Sequence, residues 1–163
     1  MKINRRRFIF GSVLVGGGAL FTYSATRPSR HRRANVALAQ GEERYITSFI
    51  KIEPGNEITI YVPHSEMGQG IHTSLSMMAA DELDANWEEV NIEQAPAIDL
   101  FANGDLVRGF AGEFGVPDFL MGLVGASAFA VAEIGNLQTT GGSSSVRYTG
   151  EHGMRVAGAA ARK

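Results

Sequence analysis

The chain has 163 residues, a formal net charge of -2 at pH 7 and 44% hydrophobic residues, a composition that suits one globular domain. Residues 1–39 hold eight of the 15 lysines and arginines and no acid, so residues 40–163 carry 17 acidic against seven basic side chains, which argues against a nucleic-acid partner. The absence of cysteine excludes disulfides, thiolate zinc sites and cysteine-held iron–sulfur clusters within this chain.

The N-terminus has the features of an export signal. Residues 4–9 have the sequence NRRRFI, and residues 8–26 form an uncharged, glycine-rich run of 19 residues. This pattern is typical of a twin-arginine signal, a receptor-recognised targeting sequence for folded proteins. The triplet Ala37, Leu38 and Ala39 fits signal cleavage before Gln40. The sequence therefore predicts export to the periplasm.

An uncleaved membrane anchor is the alternative for the same segment. A run of 19 uncharged residues approaches the roughly 20 that span a bilayer, although four glycines dilute its hydrophobicity. We expect the basic residues 27–35 to form a linker near anionic headgroups rather than a nucleic-acid site. The sequence thus predicts a twin-arginine signal and basic linker over residues 1–39, with membrane association as the alternative, and a folded part over residues 40–163.

The next segments predict a β-β-α-β arrangement in an α+β fold. Residues 45–52 and 57–62 are rich in β-branched and aromatic residues, and the sequence EPGN between them supplies a turn. Alternating Ile58, Ile60 and Val62 predict one buried face of the second strand. The spacing of apolar residues predicts a helix from residue 72 or 73 to residue 84, and residues 90–94 predict another strand.

The C-terminal part is harder to assign from its pattern. Residues 119–132 carry no charge, but 14 residues are too few to cross a membrane, so we expect a buried helix or packed segment. Residues 148–163 show helical spacing and end without a stop signal. The missing helix cap predicts that the chain is a piece of a larger domain.

Two glycine-containing loops each precede a predicted helix. The first glycine loop, residues 66–70, has the sequence EMGQG, and the second glycine loop, residues 139–145, has the sequence TTGGSSS. Glycine lets backbone amides approach a ligand, and free N–H groups at a helix start favour an anion such as a phosphate. Serine hydroxyls and the Gln69 amide add hydrogen-bonding groups. The two loops predict one anionic ligand that is bound from two sides.

Simpler explanations of these residues stay open at this point. The first loop lacks the third glycine of a dinucleotide motif and the lysine of a P-loop, and the second has the composition of a flexible linker. His64 and His72 have no carboxylate at a recognised ligand spacing, so we predict no metal site. Nothing near Glu66 in sequence would raise its pKa, and we assign no catalytic residue.

Longer strings carry a specific resemblance. Residues 62–73, VPHSEMGQGIHT, and residues 79–84, AADELD, resemble the first molybdopterin-binding segment of the xanthine dehydrogenase and aldehyde oxidase family. Within that family they are most similar to the large, or beta, subunits of isoquinoline 1-oxidoreductases, which often carry a twin-arginine leader. Residues 140–145, TGGSSS, and residues 155–162, RVAGAAAR, resemble a later segment of the same subgroup in the expected order.

The resemblance implies the N-terminal portion of a molybdenum hydroxylase large subunit. Such enzymes hydroxylate an aldehyde or an N-heterocycle with molybdenum held by molybdopterin, usually as the cytosine dinucleotide in bacteria. It also implies two protein partners, a small [2Fe–2S] subunit and the remainder of the large subunit. The residues implied to bind the cofactor are Met67, Gly68, Gln69 and Gly70 in the first loop and Gly142, Ser143, Ser144 and Ser145 in the second.

Three hypotheses follow for the chain as it stands. The family's large subunit is several times longer, and its glutamate general base lies far downstream, so we expect a catalytic-subunit fragment that is inactive alone. The second hypothesis is a short exported module for cofactor binding or assembly, or a non-functional truncated product. The third is a membrane-anchored interaction protein without a ligand. We favour the first, because two motifs and the leader occur in the family's order.

Overall fold

The structure is a computed structural model that describes residues 5–162. Asn4, the first residue of the predicted twin-arginine motif, lies outside the described residues. The described chain combines helices with one small sheet, so the predicted α+β class is confirmed. The division of the chain at residue 39 stays a prediction.

A four-stranded sheet forms the centre of the fold, in the order β1-β2-β3-β4. Its strands are β1 (Arg44–Tyr45), β2 (Ile50–Ile52), β3 (Ile58–Val62) and β4 (Val90–Gln94). Strands β1, β2 and β3 pair antiparallel in sequence order, whereas β3 and β4 pair parallel. Helix α3 (Ile71–Leu83) connects the parallel pair and contacts both of its strands. The predicted β-β-α-β order is therefore present, with one short additional strand.

The predicted hairpin is confirmed, but its first strand is shorter than expected. In the turn, the backbone N–H of Asn56 donates to the carbonyl oxygen of Glu53 at 2.9 Å, and Asn56 has a φ of 65°. The expected strand over residues 45–52 is instead divided, because residues 46–49 bend and β1 folds back on β2. The extra pairing covers an edge that a simple hairpin would leave open.

Both faces of β3 are buried, whereas alternation predicted only one. Ile58, Ile60 and Val62 are buried as expected, and so are Thr59 and Tyr61. On the second face the Tyr61 ring stacks on the Tyr45 ring at 6.1 Å and contacts the Phe101 ring at 5.3 Å. Sequence alternation could not show this cover because the aromatic partners come from other segments of the chain.

The C-terminal helical segment begins earlier than predicted. Helix α6 (Ser143–Thr149) is followed by a π-helical turn (Gly150–Met154) and by α7 (Arg155–Ala161). The expected start was residue 148, but the serines of the second glycine loop already adopt the helical conformation. This segment packs along α3, and the closest approach is at Gly158, where a Cβ atom would clash with the carbonyl oxygen of Ala79.

Two further helices precede the second glycine loop. These are α4 (Asp105–Glu113), which the sequence did not predict, and α5 (Asp118–Ile134). The helix expected over residues 119–132 is confirmed, but its burial is not, since Phe119 is 83% exposed and only three of its residues are buried. Because α1 and α4 each cover only part of its surface, much of this apolar helix faces outward.

The N-terminal part of the described chain forms two helices, α1 (Arg5–Thr26) and α2 (Arg30–Leu38). Helix α1 packs on α5, and no helix in residues 5–162 is long and apolar enough to cross a membrane. The basic residues expected in a linker are held by acidic partners. Glu133 accepts hydrogen bonds from Arg27, Arg30 and Arg33 at 3.1, 2.9 and 2.8 Å, and Asp99 accepts one from Arg33 at 2.6 Å.

The contact of α7 with α3 gives a paired stability prediction. We expect Gly158→Ala to lower the free energy of unfolding by about 1–3 kcal/mol, because the added methyl group overpacks the helix interface at Ala79. In Gly122→Ala, on α5, the methyl group would meet no atom within 4 Å. That control should raise stability by about 0.5–1 kcal/mol through its better helix propensity. Urea unfolding measures both, and equal effects would contradict the proposed packing.

Candidate functional site

The two glycine loops meet at one place on the surface. The backbone N–H of Ser65, beside the first loop, donates to the Thr140 hydroxyl oxygen in the second loop at 3.1 Å. Helices α3 and α6, which start at these loops, contact each other. Two loops that lie 75 residues apart in sequence are thus held together by one hydrogen bond and by helix packing. The two loops that the sequence predicts to contact one ligand are thus adjacent, and their binding role stays a prediction.

The Glu66 carboxylate organises the first loop. It accepts hydrogen bonds from the backbone N–H groups of Gly68, Gly70 and His72 at 2.8, 3.0 and 3.3 Å. Desolvation by the surrounding loop raises the pKa of the exposed Glu66 carboxyl group, but the hydrogen bonds from the backbone outweigh this effect, so the pKa lies below its ordinary value. The sequence predicted that the backbone N–H groups at this helix start would be free to bind an anionic ligand. In the structure they instead donate hydrogen bonds to the Glu66 carboxylate.

The Gln69 side chain closes a hydrogen-bonded ring within the same loop. Its Oε1 accepts from the backbone N–H of Met67 at 2.6 Å, and its Nε2 donates to the carbonyl oxygen of Ser65 at 2.9 Å. One amide hydrogen and one acceptor lone pair of Gln69 are not used in these two bonds. Met67 is 62% exposed. The loop therefore presents Met67 outward on a backbone held from both sides by Glu66 and Gln69.

The predicted serines of the second loop differ in their environments. Ser145 is fully buried, and its hydroxyl oxygen accepts the backbone N–H of Gly141 at 2.6 Å. Ser143 is exposed and Ser144 is half-buried. Ser145 thus holds the loop in shape, whereas Ser143 and Ser144 are accessible from outside.

Open backbone lies at one glycine in each loop. Gly68 has a φ of 88° and Gly142 a φ of 59°, conformations that side-chain-bearing residues rarely adopt. A Cβ atom built on either glycine would meet no atom within 4 Å. Both loops therefore offer backbone that a planar or phosphorylated ligand could approach closely.

A buried polar network lies beneath the loops. The Nε2 atom of His64 is 2.6 Å from Asn103 Nδ2 and 2.8 Å from the Thr149 hydroxyl oxygen, and all three side chains are buried. Because Asn103 Nδ2 is a donor, Nε2 of His64 accepts and the ring is neutral. Burial lowers the pKa of His64 to about 4, in agreement with a neutral ring. The network joins the end of β3, the start of α4 and the end of α6.

His72 forms hydrogen bonds next to this network, at the end of β4. Its Nε2 atom lies 3.1 Å from the carbonyl oxygen of His64 and 3.0 Å from Gln94 Oε1. Since both neighbours accept hydrogen bonds, Nε2 of His72 carries a hydrogen and is not free to bind a metal. Among residues 5–162, no group of three or more histidine or carboxylate side chains is arranged to hold a metal ion.

Asp105 is a second buried titratable group, next to this network. Its backbone N–H donates to Asn103 Oδ1 at 3.1 Å, and its side chain is buried at the start of α4. Burial raises the pKa of Asp105 to about 6, although the positive charges of Arg30 and Arg108 oppose the shift. This carboxyl group therefore loses its proton at a higher pH than an ordinary aspartate does.

Sequence reasoning missed the residues that shape the site. Glu66 was considered only as a base, although a carboxylate shortly before a helix start is a recognised signal for capping backbone N–H groups. Thr140 belonged to the matched string but had no assigned role. No local signal identified His64, Asn103 and Thr149 as partners, because 39 residues separate His64 from Asn103 and 85 separate it from Thr149.

Comparison with known proteins decides the family. Residues 14–105 match the family described as the molybdopterin cofactor-binding domain, and this match spans more than half of the chain. The chain belongs to this family. The resemblance found in the sequence is thereby confirmed. The match includes the first glycine loop and Asn103, whereas the second glycine loop lies outside it.

Two curated relatives agree with the family. Isoquinoline 1-oxidoreductase subunit beta from Brevundimonas diminuta is 36% identical over 61 residues, which are 37% of this chain and 8% of the relative. A membrane-bound aldehyde dehydrogenase (pyrroloquinoline-quinone) from Gluconacetobacter polyoxogenes is 33% identical over 94 residues, 56% of this chain and 12% of the relative. The aligned parts thus span about a tenth of these relatives. No solved structure matches the chain.

The raised pKa of Asp105 predicts a pH-dependent effect of Asp105→Asn in this molybdopterin cofactor-binding domain. A carboxyl group with a raised folded pKa contributes stability that is fully present below its ordinary pKa of 3.8 and is lost as pH rises through about 6. The neutral amide removes this dependence. The stability of the variant relative to the wild type should therefore increase by about 2 kcal/mol between roughly pH 4 and pH 7.5.

Urea unfolding of both proteins at the two pH values measures this difference. Asp81→Asn is the matched control, because Asp81 is an exposed residue of α3. Its stability difference from the wild type should not vary with pH in the same way. A constant difference for Asp105→Asn as well would show that this carboxyl group is not buried in the folded chain.

Proposed function

We propose that the chain is the N-terminal portion of a molybdenum hydroxylase large subunit and that its two glycine loops bind molybdopterin as the cytosine dinucleotide. The observation that carries the proposal is the hydrogen bond from Ser65 to Thr140, because it brings the family-matched loop and the second loop to one surface. The share of about a tenth that the chain covers in its relatives supports the fragment interpretation.

The residues present fit such a ligand, with a division of roles that the sequence did not suggest. Glu66 already occupies amides of the first loop, and its negative charge disfavours a second anion there. This loop would therefore hold the uncharged pterin through Gln69 and the open backbone at Gly68. The hydroxyl groups of Ser143 and Ser144 would hold the pyrophosphate, because a hydrogen bond donated by a hydroxyl group is stronger when its acceptor is charged.

Bound molybdenum cofactor would supply the oxidative hydroxylation of an aldehyde or N-heterocycle carbon, with water as the oxygen source. The chain's own residues bind and orient the cofactor in this proposal. The low pKa of Glu66 and its three backbone hydrogen bonds suit a structural carboxylate and not a general base. The catalytic base and the substrate pocket would come from the remainder of the large subunit.

A small [2Fe–2S] subunit is the proposed electron-transfer partner. The chain has no cysteine to hold an iron–sulfur cluster, so the electron relay must lie in another polypeptide or another part of the enzyme. The relative from Brevundimonas diminuta is itself described as a beta subunit, which supports a multi-subunit assembly.

Loss of cofactor after changes in the loops tests the binding proposal. We expect the full chain, produced in a bacterial host that makes the cytosine dinucleotide cofactor, to co-purify with pterin and to release cytidine monophosphate on acid hydrolysis. The double variant Gln69→Ala with Ser144→Ala should retain about tenfold less pterin, because two ligand hydrogen bonds are removed. Pterin fluorescence after oxidation and nucleotide chromatography measure the two products.

Gln40→Ala is the matched control, because Gln40 is exposed and lies outside both loops. It should retain pterin at the wild-type level. A wild-type chain free of pterin, or a double variant with as much pterin as the control, would contradict the proposed site. Release of a different nucleotide would contradict only the cytosine form.

We further propose export to the periplasm by the twin-arginine pathway, based on the sequence of residues 4–26. Replacing Arg5 and Arg6 with lysine keeps the charge but removes the paired guanidinium groups that a receptor would recognise. The variant should accumulate in the cytoplasm, as measured by cell fractionation and immunoblotting. The control, Arg32→Lys, lies outside the predicted motif and should leave export unchanged. Equal export of both variants would contradict the proposal.

A further inference from the structure

The His64 side chain contacts the chain on both sides of the second glycine loop. Its Nε2 atom lies 2.8 Å from the hydroxyl oxygen of Thr149, at the end of the helix that follows the loop. Burial lowers the pKa of His64, and a hydrogen bond with the backbone of Thr139, at the start of the loop, opposes this shift. One imidazole ring therefore meets the chain before and after the second loop.

The backbone around His64 is equally close to the first glycine loop. His64 stands two residues before this loop, and its carbonyl oxygen accepts a hydrogen bond from Nε2 of His72 at 3.1 Å. His72 lies in the first turn of α3, directly after the loop. The next residue, Ser65, donates its backbone N–H to Thr140 of the second loop at 3.1 Å. The main chain of His64 thus closes the first loop, while its ring contacts the surroundings of the second.

Asn103 connects the His64 ring to the segment that leads into the second loop. Its Nδ2 atom lies 2.6 Å from Nε2 of His64, and its backbone N–H donates to the carbonyl oxygen of Leu137 at 3.0 Å. Asn103 also forms an isolated parallel β-bridge with Gln138. The side chains of His64, Asn103 and Thr149 are all buried, so water does not compete for their hydrogen bonds.

Hydrogen bonds within each loop fix its shape but not its position relative to the other loop. The first loop is closed by Glu66 and Gln69, and the second by Ser145. The direct hydrogen bond between the loops, from Ser65, is exposed to competing water. Packing of α3 against α6 brings the two helices together, but apolar contacts are not directional. The buried, directional hydrogen bonds of His64 are therefore suited to fix how one loop is oriented on the other.

We propose that His64 is a positioning residue for the cofactor, whose ring, hydrogen-bonded to Asn103 and Thr149, holds the two glycine loops at the separation that one bound molecule requires. This inference rests on the proposed function for the identity of that molecule. A ligand held at Gly68 and at Ser144 spans both loops, so a small shift of one loop weakens contacts at both ends. His64 is fully buried, so it acts through the loops and not by touching the ligand.

Hydrogen exchange in the cofactor-free full chain tests the positioning directly. Thr149→Val keeps the shape of the side chain and removes the hydroxyl group, and Thr149 is fully buried and does not touch the cofactor. The backbone N–H of Ser65, bonded to Thr140, should exchange about tenfold faster in this variant, because the loops are no longer held together from below. The backbone N–H of Tyr61, bonded to Phe49 at 2.9 Å within the sheet region, should exchange as in the wild type. Nuclear magnetic resonance measures both rates.

Cofactor retention gives a second measurement on the same variant. Produced in a host that makes the cofactor, Thr149→Val should retain about tenfold less pterin than the wild type, as is usual when an outer partner of a binding group is lost. Thr149→Ser keeps the hydroxyl group and should retain pterin close to the wild-type level. Ile58→Val is the matched control, because it removes a buried methylene group at the opposite end of β3 from His64. It should lower stability and leave pterin retention unchanged.

Unchanged exchange of the Ser65 amide in Thr149→Val, or equal acceleration at Tyr61, would overturn the proposal. So would a loss of pterin in Ile58→Val as large as that in Thr149→Val. A wild-type chain free of pterin would contradict the proposed function, and the exchange of the Ser65 amide would then decide the positioning role by itself. Circular dichroism checks folding, and Thr149→Ala, which also lacks the hydroxyl group and suits a helix, decides the matter if Thr149→Val does not fold.

Discussion

The packing of α3 between the sheet and the C-terminal helical segment is the constraint on which the rest of the structure depends. Helix α3 covers the parallel pair β3 and β4 on one side and contacts α6, the π-helical turn and α7 on the other. Its Ile71, Leu75 and Ala79 are fully buried, and the glycine at position 158 lets α7 approach closely. Since both glycine loops are fixed to helices in this contact, the packing determines their separation.

Charges within the chain divide the two loops between different tasks. In the first loop, the Glu66 carboxylate accepts hydrogen bonds from three backbone N–H groups, which are therefore not available to an external phosphate. The second loop has a buried serine that holds its shape and two accessible hydroxyl groups that are free to face a ligand. A ligand with an uncharged end and a charged end matches this arrangement, and molybdopterin with a nucleotide is such a ligand.

Ion pairs attach the basic residues 27–33 to the rest of the folded chain. Glu133 and Asp99 pair with three arginine side chains of the segment that the sequence predicted to be a linker, and part of this segment forms helix α2. Several of these charges are largely shielded from solvent, which makes such a cluster less sensitive to salt than an exposed pair.

The sequence by itself determined the features whose causes are local. The turn at residues 53–56, the periodicity of α3 and strand β4 follow from neighbouring residues, and the family follows from contiguous motifs around the first glycine loop. The eight predicted cofactor-binding residues lie in loops that the structure brings together, and their binding role stays a prediction.

Only the tertiary structure decided which polar groups have hydrogen-bond partners and which side chains are buried or exposed. It placed Glu66 on the amides that were expected to be free, buried Ser145, covered the second face of β3 and left much of α5 exposed. It also joined His64 to Asn103 and Thr149. These outcomes depend on contacts between residues far apart in sequence, where burial and partners are properties of the packed chain and not of any local pattern.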